Sequence, residues 1–128
     1  MIHHIAMWVS DLEKTKDFYV KYFGGIPNEL HRDPSRQYQS YFISFEEGSE
    51  LELMQMPAID EGHNCEEKQF LGITHLAFSV GSEENVDKLT KQIIEDGYTL
   101  NYGPKRTGDG FYESSVFDPE LNRVEITT

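Results

Sequence analysis

Apolar and polar side chains alternate from Ile2 to Val9, the period of a strand with two unlike faces. The period then lengthens. Leu12, Phe18, Tyr19 and Phe23 recur at helical spacing, with Ser10 or Asp11 as N-cap and Gly24–Gly25 as the stop. Strands are predicted at 26–32 and 38–46 around the turn "RDPSR", and at 51–56 after the turn "EEGSE". Residues 57–71 are polar, without clear periodicity. The order then repeats: a strand at 73–80, a helix from Ser82 to its stop at Gly97, and strands at 98–103, 111–118 and 123–128. A weak capping box pairs Ser82 with Asn85. The segment "PKRTGDG", 104–110, reads as a loop, and Phe111 and Tyr112 follow it.

Both halves are βαβββ, so the chain is an internal duplication in an α+β class. Module 1 covers about 1–56, the linker 57–71 and module 2 about 72–128. Equivalent positions lie a nearly constant distance apart: His4 and His75 by 71 residues, Glu52 and Glu125 by 73, the second helix region being two residues longer. A unit this short cannot bury its own apolar face, so two copies are expected to form one domain of 128 residues.

The alternation also assigns faces. Ile5, Met7 and Val9 share one side of the first strand, and His4, Ala6 and Trp8 the other. Leu76, Phe78 and Val80 likewise oppose His75, Ala77 and Ser79. Leu51 and Leu53 flank Glu52, and Val124 and Ile126 flank Glu125. A sheet with one wet face alternates in the same way, and a lone glutamate on it is ordinary surface. Here two histidines and two glutamates occupy equivalent positions, all opposite the aliphatic face. His4, Glu52, His75 and Glu125 together offer two imidazoles and two carboxylates, a donor set for a divalent transition metal.

Charge narrows the partners. Eleven Lys and Arg against 23 Asp and Glu give a formal −12, which speaks against nucleic acid. No apolar run approaches the length of a membrane span, and the start "MIHHIAM" lacks the form of a secretion signal. The single cysteine, Cys65, excludes an intrachain disulfide and suits a reducing cytoplasm, and no local signature marks it as a nucleophile.

"HIAMWVSDLEKTKDFYVKYFGG", "GITHLAFSV" and "FDPELNRVEI" occur in the order that opens, restarts and closes the vicinal oxygen chelate superfamily, which the chain resembles from Ile2 to about Thr127. The resemblance is strongest to bacterial glyoxalase I. It implies a cup-shaped, eight-stranded half-barrel holding one divalent ion (Ni, Co, Zn, Mn or Fe) on His4, Glu52, His75 and Glu125. It implies conversion of an α-oxoaldehyde–thiol hemithioacetal to a 2-hydroxyacyl thioester through an enediolate, with Glu125 as base and Glu52 as ligand and second base. It implies a homodimer with sites built across a two-fold axis. Other metal-dependent members, epimerases or thiol transferases, and non-catalytic proteins that sequester a small molecule share the frame. Trp8, Met54, Met56 and Phe111 are expected to line the pocket, with Lys105 and Arg106 in a loop over it. Tyr41 and Phe42 read as plain core. Two departures bear on the thiol. Where bacterial glyoxalase I has an arginine and an asparagine toward glutathione, this chain has Trp8 and Met56. In the closing turn Leu121 stands at the usual glycine, leaving Asn122 to take the left-handed conformation.

Overall fold

The structure, a computed structural model, describes all residues from 1 to 128. It divides into two compact units, Met1–Gly62 and His63–Thr128. In the first, β1 (His4–Trp8) leads into α1 (Leu12–Phe23), followed by β2 (Ile26–Pro27), β3 (His31–Asp33), β4 (Tyr38–Ser44) and β5 (Glu50–Gln55). In the second, β6 (His75–Ser79), α2 (Glu83–Glu95), β7 (Leu100–Arg106), β8 (Tyr112–Phe117) and β9 (Arg123–Thr127) repeat the order. The sheets run β1-β5-β4-β2, with β3 also on β4, and β6-β9-β8-β7. In each, the first strand lies parallel to the last.

The helices begin and end where side-chain chemistry allows. The Asp11 carboxylate accepts the N–H of Lys14 at 3.0 Å, and Gly24 takes the left-handed conformation that closes α1. Ser82 Oγ accepts the N–H of Asn85 at 3.1 Å, but the Asn85 amide donates to the carbonyl of Val80 at 2.7 Å, so the reciprocal half of the capping box does not form. Each helix covers the aliphatic face of its own sheet. Leu12, Phe18, Tyr19, Ile43, Leu51 and Leu53 are buried in the first unit, and Val86, Ile93, Val116, Val124 and Ile126 in the second. In the second core the buried hydroxyls of Thr90 and Ser114 lie 2.6 Å apart, tying α2 to β8.

Four expectations need correction. The strand read at 26–32 is interrupted, which gives nine strands rather than eight. Asn28 Oδ1 accepts the N–H of Phe42 at 2.8 Å, so its side chain takes over a ladder bond and the main chain leaves the sheet until His31. The segment 104–106 is not loop: β7 runs through Lys105 and Arg106, which pair with Glu113 and Tyr112. Phe42 is not core; it pairs with Glu52 on the face away from α1, while the Tyr41 hydroxyl reaches Glu13 of α1 at 2.6 Å. In the closing turn Leu121 itself takes φ +61°, because Asn122 is committed: its main-chain and side-chain nitrogens both donate to the buried Asp118.

Candidate metal centre and ligand face

The register of β1 with β5 sets His4, Ala6 and Trp8 beside Glu50, Glu52 and Met54. His4 Nε2 lies 3.4 Å from Glu52 Oε2. The register of β6 with β9 does the same in the second unit, and His75 Nε2 lies 3.3 Å from Glu125 Oε2. The match extends to solvent: the histidine side chains are 39% and 41% exposed, the glutamates 15% and 16%. In both pairs the imidazole reaches outward and the carboxylate sits at its base. A parallel pair whose histidine starts two residues before the glutamate's partner produces this geometry; Ala6 and Ala77 leave the space between.

Each imidazole has a second contact that would leave Nε2 free to bind an ion. His75 Nδ1 faces Thr74 Oγ1 at 2.9 Å, and His4 Nδ1 faces His3 Nδ1 at 2.8 Å. A proton held on Nδ1 by such a neighbour fixes the tautomer a metal ligand needs. The donor chemistry of each pair, one imidazole and one carboxylate, suits a divalent transition metal. Each pair supplies two donors, and no group of three or more His, Cys, Asp or Glu side chains able to hold a metal ion occurs in the structure.

Tyrosines back both glutamates, and neither was apparent from spacing. Tyr38 donates to Glu52 Oε1 at 3.3 Å. Tyr102 lies 2.9 Å from Glu125 Oε1 and 3.0 Å from Glu113 Oε1. One phenolic proton faces two carboxylates there. Burial, then the hydrogen bonds to Glu125 and Glu113, push the Tyr102 phenol far above its usual range, so it remains a donor. Lys105 Nζ sits 4.7 Å above the same ring.

The other expected pocket residues divide. Trp8 is 43% exposed and meets Tyr38 edge-on at 6.1 Å. Met54 pairs with Trp8 on the same face, and Met56 lies half-buried just past β5. Phe42, read as core, packs edge-on against His4 at 5.2 Å and belongs to this face. Lys105 shares the face of Glu125, but Arg106 does not: it pairs with Glu83 of α2 and stacks on Tyr112, whose hydroxyl donates to Asp87 of α2. Phe111 is exposed and precedes β8. Arg123 holds the end of the linker, donating to the carbonyls of Cys65 at 3.2 Å and Lys68 at 3.0 Å.

Comparison with known proteins agrees with this architecture. The chain is 30% identical over 131 residues to the uncharacterized protein YqjT of Bacillus subtilis (strain 168), covering 98% of this chain and 96% of that one. Among solved structures it is similar to the trypanothione-dependent glyoxalase I of Leishmania major, with a TM-score of 0.76 and 20% identity over 98% of this chain and 84% of that one. It is also similar to a point mutant of the fosfomycin resistance protein FosX from Listeria monocytogenes, solved with Mn(II) and 1S,2S-dihydroxypropylphosphonic acid; the TM-score is 0.74 and identity 22%, over 98% and 90% of the two chains. These likenesses establish the fold. The family model matches residues 1–126, and the chain belongs to the Glyoxalase/Bleomycin resistance protein/Dioxygenase superfamily.

Proposed function

We propose that this protein is a metal-dependent isomerising lyase of the glyoxalase I type. Its substrate would be an adduct of an α-oxoaldehyde with a thiol, and its product a 2-hydroxyacyl thioester. The observation that carries the reading is the His–Glu pair built twice, with matching separation and exposure and a tyrosine behind each glutamate. His4, Glu52, His75 and Glu125 would hold one divalent ion, and two copies of the chain would form a homodimer in which each ion takes one pair from each kind of module. The ion would supply Lewis acidity toward two adjacent substrate oxygens.

Glu125 is the residue suited to move the proton. Its Oε1 is held by the Tyr102 hydroxyl at 2.9 Å, which fixes the carboxylate plane and leaves Oε2 on the open side toward His75. Oε2 takes the proton from the carbon bearing sulfur and returns it to the neighbouring carbonyl carbon; the hydroxyl proton passes to that carbon's oxygen. Atoms and electrons balance within the substrate, so no oxidant is required. Glu52, whose tyrosine stands farther off at 3.3 Å, serves as ligand and second base. Trp8 and Phe42 line one flank with aromatic surface.

The test joins metal content to turnover. Protein reconstituted with Ni, Co, Zn or Mn should hold about one ion per chain by elemental analysis, and His75→Ala should lose it. Glu125→Gln should retain more metal than His75→Ala and lose turnover of methylglyoxal with low-molecular-weight thiols. Full activity in Glu125→Gln would remove Glu125 as the base, and absence of binding by all four ions would refute the metal reading.

A further inference from the structure

The ligand face of the first unit continues past His4 into an open recess of about 440 Å³, bounded by His3, Ile26, Asn28, Phe42, Ser44 and Glu50. Phe42 joins the two regions: its ring meets the His4 imidazole at 5.2 Å and also walls the recess. Register places Glu50 on the same face as Glu52, two residues along β5 and beside His4. A ligand anchored at the His4–Glu52 pair therefore has a path into the recess.

The chemistry of the walls is selective. Ile26 is 68% exposed and, with Phe42, offers an apolar surface. The polar groups are one carboxylate, one imidazole, one amide and one hydroxyl. Asn28 Oδ1 is used on the N–H of Phe42, so the amide has its NH₂ to offer, and the Ser44 hydroxyl already donates to the carbonyl of Ile26 at 3.3 Å. The wall contains no lysine or arginine. Glu50 is half-buried and lies at the recess with no ion-pair partner. A carboxylate in such a position disfavours a second negative charge and favours a cation.

We infer that this recess is the subsite for the thiol carrier of the substrate, and that the carrier presents an amine cation on an apolar stem. The inference rests on the proposed function for the word carrier, but the cation preference of the recess stands apart from it. Glu50 takes the ammonium group, while Ile26 and Phe42 cover the stem.

The test uses the metal-free, full-length, ¹⁵N-labelled protein, titrated with 2-phenylethylamine, 2-phenylethanol and 3-phenylpropanoate. The amine should bind at least tenfold more tightly than the carboxylate, with amide shifts centred on Asn28, Phe42, Ser44 and Glu50. Glu50→Gln should bring the amine to the level of the alcohol. Ile26→Ser should weaken all three probes and preserve their order, which keeps the test intact if Glu50→Gln fails to fold. Equal or reversed affinity of the carboxylate, or shifts centred elsewhere, would overturn the inference. A second arm measures kcat/KM of the metal-loaded protein for methylglyoxal with 2-(dimethylamino)ethanethiol, 2-mercaptoethanol and 3-mercaptopropionate. The tertiary amine cannot condense with the aldehyde, and its adduct should be preferred. Amine-selective binding with no turnover by any thiol would refute the proposed function and leave the subsite; equal turnover with no amine preference would refute the subsite and leave the function.

Discussion

Gly103 is the position where a single methyl group should disturb the ligand face most. It has φ +83°, and a Cβ placed on it would lie 2.6 Å from the Glu113 carbonyl oxygen and 2.9 Å from Ser114 Cα. Both atoms are backbone of β8 and cannot swing aside. Gly97 is the control: φ is +100°, and a Cβ there meets nothing within 4 Å. Forcing an L-residue into positive φ costs about 1–2 kcal/mol, and stiffening the unfolded chain returns about 0.4–1 kcal/mol, so Gly97→Ala should lose about 1 kcal/mol. Gly103→Ala bears that loss and the overpacking of about 1–3 kcal/mol, for a total of about 2–4 kcal/mol. Relief requires β7 to move off β8, which carries Tyr102 away from Glu125. Urea denaturation of both variants gives the stability difference, provided the slope with denaturant is unchanged. Gly103→Ala should also weaken metal binding, and Gly97→Ala should not. Equal destabilisation in the two variants, or unaltered metal affinity in Gly103→Ala, would refute the reasoning.

Leu121→Gly should stabilise the protein by about 1 kcal/mol in thermal unfolding, because it relieves the left-handed strain at φ +61°; a loss of stability would show that Leu121 packing outweighs it. Thr90→Val leaves the buried Ser114 hydroxyl without its partner and should cost about 1–3 kcal/mol, while Thr90→Val with Ser114→Ala should recover most of this in a double-mutant cycle; additive losses would show that the two hydroxyls are not coupled. If Glu125 is the base proposed above, Tyr102→Phe should lower kcat of the metal-loaded protein more than it raises KM, since the phenol holds that carboxylate; a change in KM alone would place Tyr102 in binding. Turnover with glutathione should be weak, because Trp8 and Met56 offer its carboxylates no charge-assisted contact, each such contact being worth about 1.5–3 kcal/mol; a kcat/KM near 10⁶ M⁻¹s⁻¹ would show that other groups supply them.

Alternation carried the sequence reading a long way, and it failed where the strands are irregular or where two aromatics adjoin. His4, Glu52, His75 and Glu125 lie on strands that pair without irregularity, so parity along the chain assigned their faces correctly. On β7 the register with β8 shifts twice, between Leu100 and Tyr102 and again before Lys105. Tyr102 and Lys105, an odd number of residues apart, thereby share a face, and Arg106 turns to α2. No count along the sequence reveals such a shift. The adjacent aromatics Tyr41 and Phe42 posed a different problem: either could face the helix, and only the pairing of Phe42 with Glu52 decides between them. Asn28 was invisible because its contribution is a side chain standing in for a strand.

The side chain of Asn28 isolates β3 from β2 and leaves β3 held by a short ladder alone, His31–Asp33 against Tyr38–Ser40, whereas Gln39 and Ser40 of β4 also pair with Gln55 and Met54 of β5. The turn after β3 is closed locally, with Asp33 accepting from Ser35 and Arg36 and the Arg36 guanidinium 4.8 Å over the Tyr38 ring. Such a unit can open without unfolding the sheet behind it. Its amide hydrogens should therefore exchange with solvent well before those of β5. Tyr38 pairs with Asp33 and stands just outside the ladder with β5, so opening of β3 should loosen its hydrogen bond to Glu52, whereas Tyr102 reaches Glu125 from within β7.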